Sequence, residues 1–89
     1  MKLFLCSKCG DMLCMLVRRW RSCECGESSG RYLDDRDFAE ISGQAIPIGI
    51  INPSLLDAVR NRKSGITDFK RLDIQAFVFS PDYHKIKKV

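Results

Sequence analysis

The 89-residue chain has 15 Lys and Arg against 11 Asp and Glu, a formal net charge of +4, and 45% hydrophobic residues. This apolar fraction excludes a disordered chain, because disorder requires a sequence poor in apolar residues. The longest apolar run, residues 45–51, is interrupted by Pro47 and Gly49 and is far too short to span a bilayer. We therefore expect one small domain over residues 1–89, without a membrane segment or a signal-peptide pattern, and a cytoplasmic location.

The first predicted element is a β-hairpin. Lys2–Leu5 and Met12–Arg18 are short apolar segments that we interpret as its two strands. Cys14 lies in the second strand, where a small buried apolar role is the simplest interpretation and a substitute metal ligand is the alternative. Residues 18–22 then link this hairpin to a second cysteine pair.

Five cysteines lie within the first 25 residues, and none follows them. Four form two close pairs, Cys6-x2-Cys9 and Cys23-x-Cys25, with 13 residues between the pairs. Two close pairs joined by a short hairpin bring four thiolates around one tetrahedral ion. The spacing predicts one structural zinc ion held by these four residues. Iron in the same cage, or a redox-active Cys-x-x-Cys pair, is the alternative.

Each cysteine pair is followed by glycine and then by an acidic residue, as Gly10-Asp11 and Gly26-Glu27. In a two-cysteine knuckle the chain turns back so that backbone N–H groups point at the sulfurs. The residue after the second cysteine then needs a positive φ, which glycine adopts without steric cost. We therefore expect both glycines to have positive φ.

At these residues the chain resembles the zinc-ribbon group of folds, in which two hairpin knuckles clamp one zinc. More narrowly, four segments resemble short uncharacterised proteins from bacteria and their phages: CSKCGD at 6–11, CECG at 23–26, SGRY at 29–32 and SGQAIPIGIIN at 42–52. The zinc-ribbon resemblance covers the first third of the chain, and the narrower one extends to about residue 62. It implies a zinc-ribbon hairpin and a bacterial or phage accessory protein, but brings no known activity.

Strands and turns are predicted to alternate after the second cysteine pair. Residues 27–30 have turn composition, and 34–37 form an acidic turn. The predicted strands are Arg31–Leu33, Phe38–Ile41 and Gln44–Ile51. Pro47, inside the last of these, indicates an edge position, a bulge or a bend.

One helix is predicted over residues 53–63. Asn52 is its expected cap and Pro53 its first helical residue. Leu55, Leu56 and Val59 form an apolar stripe, and Gly65 would follow the C-terminus.

Two further strands are expected near the C-terminus. Leu72–Ser80 is apolar on both faces, which favours a central strand, and Tyr83–Val89 is a basic tail that forms an edge strand. The sum is an α+β fold with a small antiparallel β-sheet, one helix and an N-terminal zinc-ribbon hairpin. The zinc-ribbon part covers residues 1–31, and the sheet-plus-helix part covers residues 32–89.

The charge divides unevenly along the chain. Residues 1–31 have six basic and three acidic side chains, residues 32–57 have one and five, and residues 58–89 have eight and three. Zinc held by four thiolates adds a charge of −2, which lowers the net charge of the metallated chain to about +2. This correction weakens the electrostatic case for nucleic-acid binding.

The candidate binding residues are Arg18, Arg19, Trp20, Arg21 and Arg31. The run 18–21 combines guanidinium groups with the only tryptophan and can stack on a base or grip a phosphate. The alternative is a solvated turn with the tryptophan packed over the zinc hairpin. Residues 28–31 form a polar turn that can hold an anion, with an ordinary loop as the alternative.

Catalytic patterns are weak in this chain. His84 is isolated, and the aspartates of the 34–37 turn lack the ligand periodicity of a calcium loop. Zinc bound by four sulfurs has no vacant position for water. We therefore expect a protein that is not an enzyme.

The leading interpretation is a zinc-stabilised binding module, a bacterial or phage accessory protein that acts on a host protein. One alternative is nucleic-acid binding through the Arg18–Arg21 turn and the basic C-terminal half. Another is a rubredoxin-like iron electron carrier. The sequence leaves the identity of the partner and the oligomeric state open.

Overall fold

A computed structural model describes residues 1–62 and 72–89, which form two four-stranded sheets and one helix. In chain order the elements are β1 (Lys2–Cys6), β2 (Met12–Cys14), β3 (Arg21–Ser22), β4 (Ser28–Tyr32), β5 (Ala39–Gly43), β6 (Ala45–Ile50), α1 (Asn52–Asn61), β7 (Ala76–Val78) and β8 (Ile86–Lys88). The fold is therefore mostly β with a small helical part. The expected single antiparallel sheet is wrong, because there are two sheets and one of their strand pairs is parallel.

The strand order is β2-β1-β6-β7 in the first sheet and β3-β4-β5-β8 in the second. All neighbours are antiparallel except β5 and β8. The sheets meet where β1 lies against β4. Phe4, which is fully buried, packs over Gly30, where a Cβ atom would lie 2.8 Å from Phe4 Cδ1. The absence of a side chain at Gly30 thus permits close contact between the two layers.

The chain crosses between the sheets three times: between β2 and β3, between β5 and β6, and between β7 and β8. The strand predicted over Met12–Arg18 ends as β2 at Cys14, and the following residues bond to the second sheet instead. There Leu16 O accepts from Tyr32 N–H at 3.0 Å, and Arg18 N–H donates to Tyr32 O at 2.8 Å. Gly43 makes the second crossing, between β5 and β6.

Gly43 has a φ of 69°, and a Cβ atom at this position would overlap the Glu27 carbonyl oxygen. Both features require glycine, because an L-residue is strained at positive φ and its side chain would displace the neighbouring strand. The crossing from β5 to β6 is therefore held tightly against the second cysteine loop.

The strand predicted over Gln44–Ile51 is confirmed as β6, but its position is central and not at an edge. The backbone of Pro47 faces β7, because its carbonyl accepts from Phe79 N–H at 3.0 Å. The N and O of one strand residue face the same neighbour, so the missing N–H of Pro47 lies on the β7 side. The hydrogen bonds between β6 and β1 are unaffected.

The predicted central strand Leu72–Ser80 is wrong in length and position. Only Ala76–Val78 pairs, and it forms an edge strand, β7, whose three residues are all exposed. The apolar composition of this stretch indicated burial, but no further strand covers β7 among the described residues. The predicted edge strand in the basic tail is confirmed as β8.

The helix is confirmed at Asn52–Asn61, with a different N-terminus from the predicted one. Ile51 is the N-cap and makes no side-chain capping bond. Asn52 Oδ1 accepts instead from the N-terminal amine at 3.0 Å. None of the helix residues is buried, and Gly65 lies outside the described residues. In the part of the chain that the structure describes, no helix is long and apolar enough to cross a membrane.

Candidate metal centre

The structure brings Cys6, Cys9, Cys23 and Cys25 together, with all four sulfur atoms within 4.8 Å of one another. Cys25 Sγ lies 3.7 Å from Cys6 Sγ and 3.5 Å from Cys23 Sγ. Sulfurs bonded at 2.3 Å to one tetrahedral zinc stand about 3.8 Å apart. The donor set and its spacing therefore fit a single metal ion.

The first knuckle is the turn of the β1–β2 hairpin. Cys6 N–H donates to Asp11 O at 2.8 Å and closes the turn, and Gly10 N–H donates to Cys6 O at 2.9 Å. Cys9 N–H points at Cys6 Sγ at 3.4 Å. The φ of Gly10 is 76°, as predicted from its place after the second cysteine.

The second knuckle is the turn of the β3–β4 hairpin. Cys23 N–H donates to Ser28 O at 3.0 Å, and Gly26 N–H donates to Cys23 O at 3.0 Å. This loop has one residue fewer between its cysteines, yet Gly26 has a φ of 77°. The two loops therefore turn at equivalent glycines, and the prediction of positive φ is confirmed for both.

Residues outside the cysteine motif join the two knuckles. Asp11 Oδ2 accepts from Glu24 N–H at 3.1 Å, which ties the first loop to the backbone of the second. Gln44 bridges them from the crossing between β5 and β6: its carbonyl accepts from Ser7 N–H at 3.1 Å, and its N–H donates to Glu27 O at 2.9 Å. The Ser7 hydroxyl also donates to Gln44 Oε1 at 3.3 Å. Sequence reasoning missed Gln44, because its contacts depend on distant pairing and no local motif marks them.

Residues 28–31 were predicted to form a polar turn, and this prediction is wrong. They lie in β4, which pairs with β3 and β5. Alternate β4 residues are buried between the sheets, and Ser28 is the first of them. The small polar residues of segment 28–31 indicated a turn. In the structure these small side chains instead allow β1 to pack closely against β4.

Two cysteine thiols have pKa values moved far from their usual range. The Ser28 hydroxyl and then the Cys9 backbone N–H lower the pKa of Cys6 to about 6. The Glu27 backbone N–H opposes a rise at Cys25, but desolvation and the neighbouring sulfurs raise its pKa to about 12. Four thiolates this close repel one another, so full deprotonation requires a cation among them.

Cys14 is separate from this cluster. It is exposed at the far end of the β1–β2 hairpin, opposite Leu3, and its Sγ lies 4.0 Å from Met1 Sδ. The expected burial of Cys14 is therefore wrong, because the apolar run around it ends at the sheet edge. It is not one of the four grouped sulfurs.

Three of the five predicted binding residues already contact other residues of the chain. Arg21 Nη1 donates to Cys14 O at 3.2 Å. Arg31 donates through Nε and Nη2 to one Glu40 oxygen at 2.9 and 2.7 Å, and its guanidinium stacks 4.7 Å from the Trp20 ring centre. Trp20 thus packs on β4 and keeps 43% of its surface exposed.

Arg18 and Arg19 are exposed, and neither forms an ion pair with another described residue. Arg18 has a φ of 60°, which marks the turn before β3. Of the five predicted residues, these two and the open face of Trp20 are therefore available to a partner.

Within residues 1–62 and 72–89, no other group of three or more His, Cys, Asp or Glu side chains converges. In the acidic turn, Asp35 Oδ1 accepts from the N–H groups of Asp37 and Phe38. Asp37 pairs with Lys85 at 3.0 Å. His84 is exposed and packs edge-on against Tyr83. These contacts favour structural roles for the acidic turn and for His84.

Comparisons with known protein families, with curated proteins and with solved structures find no match for this chain. The zinc-ribbon likeness therefore rests on the cysteine cluster and its two knuckles.

Proposed function

We propose that this chain is a non-enzymatic binding module in which the four grouped cysteines hold one structural zinc ion in a zinc-ribbon-like site. The observation that carries the proposal is the convergence of four sulfurs within 4.8 Å from the turns of two hairpins in different sheets. Four thiolates suit zinc. We propose a cytoplasmic location, because a reducing compartment keeps cysteines available for a metal ion.

The ion would clasp the two sheets at their shared end. Binding of zinc to such a site is folding free energy, because the unfolded chain has no preformed site. A site closed by four sulfurs leaves no position for a substrate or a catalytic water. The role of the metal is thus to hold surfaces in place.

Native mass spectrometry with metal analysis of the same sample tests the site. We expect one zinc ion per chain, and no bound metal in Cys9→Ser. Iron with a reversible redox couple would support the electron-carrier alternative instead. A folded wild-type chain without metal would overturn the proposal.

We propose a protein as the binding partner, in keeping with a bacterial or phage accessory role. Two observations support a protein over a nucleic acid. Arg21 and Arg31 are already engaged within the chain. The acidic stretch 32–57 lies in the same small fold and opposes binding along a phosphate backbone.

Nucleic-acid binding is the second candidate, favoured by the exposed Arg18 and Arg19, which form no ion pair within residues 1–62 and 72–89, beside the exposed Trp20. It predicts affinity that falls steeply with salt and drops in the variant with Arg18→Ala and Arg19→Ala. Fluorescence anisotropy with labelled single-stranded and duplex DNA measures both. DNA affinity that changes neither with salt nor in this variant would exclude nucleic-acid binding through Arg18 and Arg19. Arg36→Ala, an exposed residue of the acidic turn outside both basic regions, is the control for general loss of positive charge.

A further inference from the structure

Ser28 is a buried polar side chain without a hydrogen-bond partner. The residue is 1% exposed, and its Oγ has no partner among the described residues. Buried hydroxyl groups nearly always have a partner, because leaving one unpaired costs free energy. This hydroxyl therefore needs an acceptor close to it in the protein interior.

The packing of β1 on β4 shows where that acceptor lies. Lys2 N–H donates to the Tyr32 hydroxyl at 2.8 Å, and Phe4 packs over Gly30. Side chains on one face of a strand repeat every second residue. Two residues further forward along β1 is Cys6, and two residues further back along β4 is Ser28. The same pattern therefore places these two residues opposite each other.

Burial agrees with this register. Cys6 is fully buried, like Phe4 before it, and Ser28 is buried from the other sheet. A thiol accepts hydrogen bonds weakly, whereas a thiolate accepts them strongly.

We propose that Ser28 is a positioning residue of the metal centre, whose hydroxyl donates a hydrogen bond to the metal-bound Cys6 thiolate. This inference rests on the proposed four-cysteine site. Metal binding would make the Cys6 sulfur a strong acceptor for this hydroxyl, because a metal-bound cysteine is deprotonated. Together with the Cys9 N–H, 3.4 Å from the same sulfur, the hydroxyl orients Cys6 and withdraws charge from it.

The test compares Ser28→Ala with Ser29→Ala. Ser29 is the neighbouring residue on the other face of β4, and its Oγ lies 2.9 Å from Ser22 Oγ. Zinc affinity is measured by competition with a chelator, and the thiolate-to-metal charge-transfer bands are recorded after loading with Co²⁺. We expect Ser28→Ala to bind zinc about 10- to 100-fold more weakly. Its bands should move to longer wavelength, because the sulfur lone pairs lose a stabilising donor. Ser29→Ala should match the wild type in both.

Unchanged affinity and bands in Ser28→Ala, with a wild type that binds metal, would overturn this inference and leave the metal site standing. Weaker binding with unchanged bands would also overturn it, because that pattern indicates altered packing alone. A wild type that binds neither zinc nor Co²⁺ would instead contradict the proposed function.

A crystal structure of the zinc-loaded wild type tests the contact without any variant and therefore applies even if Ser28→Ala does not fold. We expect Ser28 Oγ within 3.5 Å of Cys6 Sγ. A hydroxyl that points away from Cys6, toward a backbone carbonyl, would overturn the inference.

Discussion

Among the cysteines, position in the hairpin decides the role of each side chain. Cys9 and Cys25 lie in the two knuckles, whereas Cys14 is exposed at the opposite end of the β1–β2 hairpin. The same residue type therefore belongs to the sulfur cluster at one end of the hairpin and is a separate, exposed side chain at the other.

We expect Cys9→Ser and Cys25→Ser to lose the metal and to destabilise the fold severely. Structural zinc sites contribute about 10–16 kcal/mol of apparent binding energy, much of which stabilises the fold. Cys14→Ser should change the free energy of unfolding by no more than about 0.5 kcal/mol, because its side chain is exposed. Metal content and urea unfolding measure these effects. Similar damage from all three substitutions would mean that the ligand assignment is wrong.

Gly43 lies outside the cysteine motif and packs against the backbone of the second cysteine loop. We expect Gly43→Ala to destabilise the fold by about 2–4 kcal/mol, from positive φ and from overlap with the Glu27 carbonyl. Gly26→Ala is the matched control: its φ is also positive, but the space around it is open. That variant should lose only about 1–2 kcal/mol. Equal losses in urea unfolding would show that the crossing from β5 to β6 has no special packing.

At the scale of elements, the strands and the helix contribute differently to the fold. The β1 residue Phe4 is fully buried against β4, between the two sheets, whereas α1 has no buried residue. The apolar stripe of the helix is consequently a weak source of stability, despite its periodic pattern.

We expect Phe4→Ala to destabilise the fold by about 3–5 kcal/mol, through lost burial and a cavity between the sheets. Leu56→Ala, in a helix residue that is 50% exposed, should cost less than about 1 kcal/mol. The midpoint of urea unfolding compares the two directly. A large loss in Leu56→Ala would show that the helix stripe packs against the rest of the chain.

At the scale of the whole molecule, the proposed zinc would join two sheets whose ends already meet through Asp11 and Gln44. These hydrogen bonds hold the two cysteine loops together independently of a metal ion. The proposed ion would add four further links between the same loops.

Stability should consequently depend on free zinc. A ligand that binds only the folded state stabilises it by about 2.7 kcal/mol at a concentration 100-fold above its Kd. We expect the thermal unfolding midpoint to rise with buffered zinc and to fall with a chelator. Cys25→Ser should show no such dependence. A wild-type unfolding midpoint that does not change with zinc concentration would contradict the proposal that zinc joins the two sheets.

Local sequence predicted the features that depend on neighbouring residues. The cysteine spacing and the glycine after each pair predicted the grouped sulfurs and both positive φ angles, because a knuckle is a short-range structure. The helix was predicted from its own apolar periodicity, and its start was misplaced by one residue because Asn52 binds the distant N-terminal amine.

Only the tertiary structure decided the features that depend on distant pairing. It divided the strands between two sheets and made β4 a strand, since its small residues accommodate β1. It also left Cys14 and β7 exposed at sheet edges and engaged Arg31 with Glu40. Which neighbour a strand pairs with, and which face it buries, is set by contacts between segments far apart in the chain. The sequence by itself therefore determined which residues form the four-cysteine cluster, and the fold decided what supports it.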